Sequence, residues 1–207
     1  MLQQTQVTRV LEFYPRFLRR FPSLDSLASA RVSQVVSAWD GLGYYARARN
    51  LHKLSRWVTR DGEGAGLPSE PRLLRELPGV GAYTAGAVAS FAYERRAALV
   101  DTNVARVLSR VFNPRLKPKR ARDQKRIWAI AEATLPRTGP ASWTHNQALM
   151  ELGALICTAR VKRCAICPVR SVCATYQAAS SVQKRSRRAE QLPARLPHLP
   201  APICPIS

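Results

Sequence analysis

Residues 77–104 read LPGVGAYTAGAVASFAYERRAALVDTNV, and the neighbours of this stretch decide how the whole chain is read. Gly79 and Gly81 bracket Val80, so the backbone can turn tightly there with its N–H groups exposed. A helix of small residues (Thr84, Ala85, Gly86, Ala87, Ala89) follows at once, and N–H groups at a helix start suit a phosphate. Asp101, a lone carboxylate, stands at the mouth of the next predicted helix, where it or Thr102 could serve as the cap. Pro-Gly-Val-Gly alone is equally compatible with a plain corner between two helices.

Outward from this centre the chain reads as helix after helix. Residues 1–20 carry Leu2, Val7, Val10, Leu11, Tyr14 and Leu18 at helical spacing, which predicts one helix with that face turned inward until Phe21-Pro22 ends it. Residues 26–39 repeat the pattern with Leu27, Val32, Val35, Val36 and Trp39, and Gly41-Leu42-Gly43 breaks it. A third helix is predicted from about 44 to 59, with Ala48, Leu51, Leu54 and Val58 as its core stripe, before a glycine-rich loop at 61–68. Ala97-Ala98-Leu99-Val100 is too short to decide strand against loop, and further helices are expected near 103–112, 121–135 and 142–156. Period-2 alternation is almost absent, so the fold is expected to be all-α. From Gln177 the composition turns to Ser, Arg, Pro and Lys, a stretch too poor in apolar surface to order itself and read as a disordered tail or linker.

Charge and cysteines narrow the class. The 207 residues hold 33 Lys+Arg against 13 Asp+Glu, a net charge of +20, with arginine dominant. Such an excess favours a polyanionic partner, because arginine's planar fork matches phosphate oxygens and each neutralised phosphate releases counterions. No apolar run is long enough for a membrane span and no signal-peptide layout is visible, so a soluble cytoplasmic protein, nucleoid-associated if bacterial, is the expectation. Cys157, Cys164, Cys167 and Cys173 follow the spacing C-x6-C-x2-C-x5-C, while Cys204 stands apart in the tail. Four thiolates this close can surround one centre, iron–sulfur or zinc. Arg160, Lys162 and Arg163 lie between the first two cysteines, on a loop read either as a phosphate contact or as a solvated turn.

Taken together, the cysteine spacing, Leu-Pro-Gly-Val-Gly and the later aspartate resemble the helix-hairpin-helix DNA glycosylases of the endonuclease III superfamily. Within it, MLQQTQV at 1–7, GLGYYARARNLHK at 41–53 and NQALMELGALIC at 146–157 resemble the adenine DNA glycosylase (MutY-type) branch. The resemblance implies a partial helical barrel domain at 1–96 with its hairpin at 77–81, and an iron–sulfur cluster domain at 97–176. The four cysteines would hold a [4Fe-4S] cluster, and residues 177–207 would lead away as a tail. It implies a base-excision enzyme, a monomer on double-stranded DNA, that removes adenine mispaired with 8-oxoguanine or guanine. Such an enzyme flips the base out of the stack and fills the gap.

The resemblance also assigns roles residue by residue. Leu2, Gln4 and Tyr44 match positions that enter the stack near the lesion; as plain residues they would read as helix packing. Gln147 matches a position lining the adenine pocket, and Gly79 and Gly81 the hairpin that grips the backbone. Asp101 matches the carboxylate that stabilises the developing sugar cation, with Asn103 beside it and Thr102 where many relatives have glycine. Tyr83 stands where bifunctional relatives carry a Schiff-base lysine, so a monofunctional glycosylase is implied. The family's proton-donating glutamate falls two residues before the position of Met1. Glu12, roughly 16 Å along the predicted helix, is too far to replace it, which implies impaired chemistry or a non-catalytic DNA-binding module.

Overall fold

The computed structural model describes residues 1–61 and 66–181, with the backbone alone at Asp61, and these form helices and turns without a β-strand. The all-α expectation is met among the described residues. Lys184, Arg185, Arg187, Arg188, Cys204, most of the predicted tail and half of the glycine-rich loop lie outside them.

The first third is built on aromatic packing. Helix α1 (Val7–Arg20) buries Val10 and Phe17, and Phe17 meets Phe21 at 5.0 Å and Trp39 edge-on at 5.7 Å. Two short helices, α2 (Leu24–Ser29) and α3 (Val32–Ala38), replace the single helix expected over 26–39, because Ala30 and Arg31 are extended. Ser23 starts α2 in a capping box with Ser26, two orphan helix donors being satisfied reciprocally. Helix α4 (Ala46–Arg56) buries Ala48, His52 and Ser55 and continues into a π-turn over Trp57–Asp61.

Three expectations about this region are corrected. The first helix begins at Val7 and not at Met1, so Leu2 and Gln4 sit in a turn. Of the predicted inward stripe only Val10 is buried; Val7, Leu11, Tyr14 and Leu18 face outward at 61%, 67%, 52% and 43% exposure. The larger rings of Phe17 and Phe21 take the inner face, since burying aromatic area outweighs burying the aliphatic residues of the neighbouring arc. Helix α4 likewise starts later than predicted, because Tyr44 is left-handed (φ 50°) and cannot belong to it.

Helix α5 (Pro71–Leu74) leads into the hairpin, and α6 (Ala82–Tyr93) leaves it. Alanine and glycine let α6 pack closely on two sides: Leu74, Leu77, Ala85, Ala89 and Ala97 form one cluster, while Tyr83, Ala87 and Phe91 lean on another. A Cβ added to Gly86 would fall 2.0 Å from the Ala98 carbonyl oxygen, so the following segment lies directly on the helix backbone. That segment, residues 97–100, is buried and is a link without strand partners. Asn146 fixes it by donating to the Ala97 carbonyl and to Ser90 Oγ, both at 2.9 Å.

Helices α7 (Thr102–Phe112), α8 (Ala121–Thr134) and α9 (Gly139–Glu151) complete the main body. Val104, Ala105 and Leu108 of α7 meet Ile127 and Ala131 of α8 in the largest core cluster. Helix α9 begins three residues before the predicted 142 and passes into a π-turn over Leu152–Ile156. Two 3-10 turns, Cys164–Ile166 and Arg170–Val172, carry the cysteine loop. Residues 174–181 are helical, so the disordered tail expected from Gln177 is corrected: Gln177 bonds back to the Cys173 and Ser171 carbonyls, which orders this turn.

Candidate active site

The extended link delivers Asp101 to the start of α7, where its Oδ1 accepts from the Val104 N–H at 2.6 Å. This is an ordinary N-cap, yet the same carboxylate lines an open cleft with Tyr83, Thr84, Thr102, Leu2, Gln3, Gln4 and Lys119. The cleft encloses about 700 Å³, within the roughly 300–1,000 Å³ of small-molecule sites. Asn103 donates to Asp101 Oδ2 at 3.3 Å, and Arg106 donates to Asn103 Oδ1 at 2.8 Å, fixing the direction of that amide. Burial, and then the neighbouring Asp101 charge, push the Tyr83 hydroxyl above the ordinary tyrosine value. Tyr83 is therefore a protonated donor in the cleft and holds no amine.

One wall of the cleft is the first turn of α6, Tyr83 and Thr84, into which the hairpin leads. Gly79 is left-handed (φ 77°), and a Cβ there would fall 2.6 Å from Asn50 Cβ, so glycine is required both by conformation and by contact with α4. Gly81 is different: it caps α6 without a side-chain hydrogen bond and has open space in front of it. The first N–H groups of a helix have no partner within it, and no side chain caps those of α6. A phosphate oxygen suits that place.

The opposite wall is the N-terminal turn. Gln3 Nε2 donates to Thr84 Oγ1 at 2.8 Å, tying the turn to the first turn of α6. Gln4 is left-handed (φ 58°) and exposed, and Leu2 is 60% exposed. Arg47 binds the backbone of this turn and that of the Leu42-Gly43 turn, next to the exposed, left-handed Tyr44. The structure thus brings Leu2, Gln4, Tyr83 and Asp101 to one cleft, with Asn103 behind Asp101 and Tyr44 on an adjoining turn. Gln147 does not line it; its amide donates to Glu151 on α9 at 2.9 Å.

The four cysteines line a second, separate cavity whose walls include Val107, Val111, Leu152 and Ile156. No three Cys, His, Asp or Glu side chains among the described residues are placed to hold a single metal ion. Arg110 donates to Cys157 Sγ at 3.3 Å and to the Thr158 carbonyl at 2.7 Å. Arg106 donates to the carbonyls of Cys157 (2.9 Å) and Gly153 (2.7 Å), so a continuous set of hydrogen bonds runs from Asp101 through Asn103 to the cysteine loop. Sequence reading missed both arginines. Their spacing on α7, three and seven residues after Asn103, was the available signal. Arg160, Lys162 and Arg163 are exposed on the loop between Cys157 and Cys164, which a bridge from Cys157 to Lys162 closes.

A hairpin with an open helix start, followed by an aspartate that caps the next helix beside a cleft, is the arrangement of a DNA-repair family. The chain belongs to the HhH-GPD superfamily of base excision DNA repair proteins, whose pattern matches residues 1–132. Within it, the chain is 42% identical to the adenine DNA glycosylase of Mus musculus over 178 residues, covering 86% of this chain and 34% of that protein. It is 43% identical to the adenine DNA glycosylase of Mycobacterium tuberculosis (strain ATCC 25618 / H37Rv) over 172 residues, covering 82% and 55%. The chain thus spans about a third to about a half of these relatives. The fold is similar to that of a thermostable thymine-DNA glycosylase, with TM-score 0.74 and 29% identity over 86% of this chain and 80% of that one. An endonuclease III in a trapped covalent complex with DNA shares the fold at TM-score 0.69 and 24% identity, over 86% and 80%.

Proposed function

We propose that this chain is a monofunctional adenine DNA glycosylase that hydrolyses the N-glycosidic bond of adenine opposite 8-oxoguanine or guanine in double-stranded DNA. The observation that carries the reading is Asp101, held by Val104 and Asn103 at the edge of a cleft shared with Tyr83 and Thr84, on the helix turn that follows the hairpin. As the C1′–N9 bond breaks, its electron pair leaves with adenine and positive charge develops on the sugar. A fixed carboxylate stabilises that charge without reorganising, and water then adds at C1′, releasing a proton that balances the one the departed adenine takes up. Tyr83 stays protonated and donates a hydrogen bond near the sugar; a phenol forms no Schiff base, so the strand is left intact. Gly79 shapes the grip, Gly81 and the α6 start take a phosphate, and Leu2, Gln4 and Tyr44 enter the stack.

The residues fit a [4Fe-4S] cluster. Four thiols share one largely apolar cavity, and an arginine N–H points at one sulfur. Cys157, Cys164, Cys167 and Cys173 would hold it, and its contribution when bound is to fix the loop that presents Arg160, Lys162 and Arg163 to the DNA backbone. In this reading residues 1–96 form the hairpin-bearing half and 97–176 the cluster-bearing half, acting as a monomer.

The second reading is a DNA-binding module without chemistry. One observation favours it: Asp101 is the only carboxylate lining the cleft among the described residues, so the cleft wall supplies no second acid to protonate adenine. Incubation with duplex carrying adenine opposite 8-oxoguanine, followed by alkali, separates the two. Strand scission only after alkali, lost in Asp101→Asn, supports the glycosylase. Scission without alkali, or a borohydride-trapped adduct, overturns the monofunctional assignment, and tight binding without base release establishes the module.

A further inference from the structure

We propose that Arg47 is a positioning residue that makes the stack-entering side chains act as one wedge; the inference rests on the glycosylase reading of the cleft. Its guanidinium donates to the carbonyls of Met1 and Gln3 and to Thr5 Oγ1 in the N-terminal turn. It also donates to the carbonyls of Leu42 (3.3 Å) and Gly43 (3.2 Å) in the turn before α4. It lies 5.4 Å from the Trp39 ring centroid and 5.6 Å from that of Tyr44. One planar fork therefore joins two segments that are about forty residues apart in sequence and carry Leu2 and Gln4 on one side and Tyr44 on the other.

The energetics argue against a purely structural role. None of Arg47's acceptors is a carboxylate, and its Nε is buried without a hydrogen-bond partner, so the cation is held only by dipoles and ring faces. What it organises is exposed: Leu2 and Tyr44 are 60% and 63% accessible, and Gln4 and Tyr44 are both left-handed, a conformation costly for residues with a Cβ. Ordering such turns buries little apolar surface. The return is a fixed row of side chains beside the Asp101 cleft, whose wall Arg47 also forms. Lysine cannot replace it, because an ammonium offers no fork to span both turns.

The test is duplex DNA with 2-aminopurine opposite 8-oxoguanine, read by binding and by the fluorescence rise that accompanies unstacking. The native chain binds and brightens the probe. Arg47→Lys, which keeps the charge, binds within about threefold but brightens it about fivefold less, because phosphate contacts remain while the wedge is uncoupled. In a Leu2→Ala/Gln4→Ala/Tyr44→Ala background, Arg47→Lys has no further effect on brightening. Thr5→Val, which removes one acceptor, gives a smaller loss in the same direction and stands in if Arg47→Lys fails to fold. Native brightening in Arg47→Lys, an added loss in the alanine background, or no change in Thr5→Val overturns the proposal while leaving the glycosylase reading intact. A native chain that binds without brightening overturns that reading, and the proposal with it.

Discussion

The Asp101 cleft and the cysteine loop are each lined by residues of α7, but they are stabilised in opposite ways. Around Asp101 the walls other than the N-terminal turn belong to well-packed elements: α6 packs on Leu74 and Leu77, α7 on Ile127, and the link 97–100 is buried along its length. The cysteine region has short 3-10 turns and presents Leu155, Val161, Ile166 and Val172 to solvent at 59–66% exposure. It is held by arginines on backbone carbonyls and by one small apolar cluster, in which Cys157, Cys167, Val169 and Cys173 pack against Val107, Val111 and Leu152. The first region is organised by broad apolar burial and the second by a small apolar cluster with polar ties, so the same perturbation has different reach in each.

The largest effect expected is at the cleft and concerns chemistry alone. Asp101→Asn keeps a good N-cap, so the thermal midpoint stays within a few degrees while base release falls about a hundredfold or more. A comparable loss of stability would show that the carboxylate is structural and would erase the contrast. Next, Cys164→Ala should open the cysteine region without unfolding the rest. Limited proteolysis is expected to cut within 157–181 about tenfold faster, with residues 66–150 still protected; uniform susceptibility would mean that the regions fold as one.

Gly79→Ala carries a smaller penalty. The left-handed φ and the 2.6 Å approach to Asn50 Cβ predict a destabilisation of about 2 kcal/mol, measured by denaturant titration, with weaker duplex binding. Gly81→Ala, where a Cβ meets nothing, should cost little stability and lower binding only through crowding of the phosphate site. The smallest effect concerns His145 on α9, whose Nε2 is buried without a partner. Burial lowers its pKa below the ordinary 6.5, so the folded state resists a proton that the unfolded state accepts. Stability is complete above that value and declines as the pH falls below it; His145→Gln should flatten the dependence of the thermal midpoint between about pH 7 and pH 5.

The helical class was legible because apolar residues recur at helical spacing, and Asp101 was legible because the hairpin preceded it. The orientation of α1 was not. Its apolar arc is wider than the surface that covers it, and periodicity does not tell Phe17 from Leu18 as the buried member. The break between α2 and α3 depends on extended conformations at Ala30 and Arg31, which neither glycine nor proline announces. Arg47, Arg106 and Arg110 were hidden for a related reason: in a chain of charge +20, an arginine bound to carbonyls reads like one facing water. Gln147 shows the converse, a motif position that the fold pairs with Glu151 away from the cleft wall.

The buried link at 97–100 has a consequence for how this site tolerates change in length. Its backbone lies against Gly86, its first carbonyl is claimed by Asn146, and its last residue abuts the cap of α7. An extended residue advances the chain by about 3.4 Å, so one inserted or deleted residue would carry Asp101 past the cleft or turn it to the other side. The link acts as a gauge block, setting a distance by its length. Its side chains can be exchanged for others of similar volume, but its residue count cannot vary while the aspartate keeps its place.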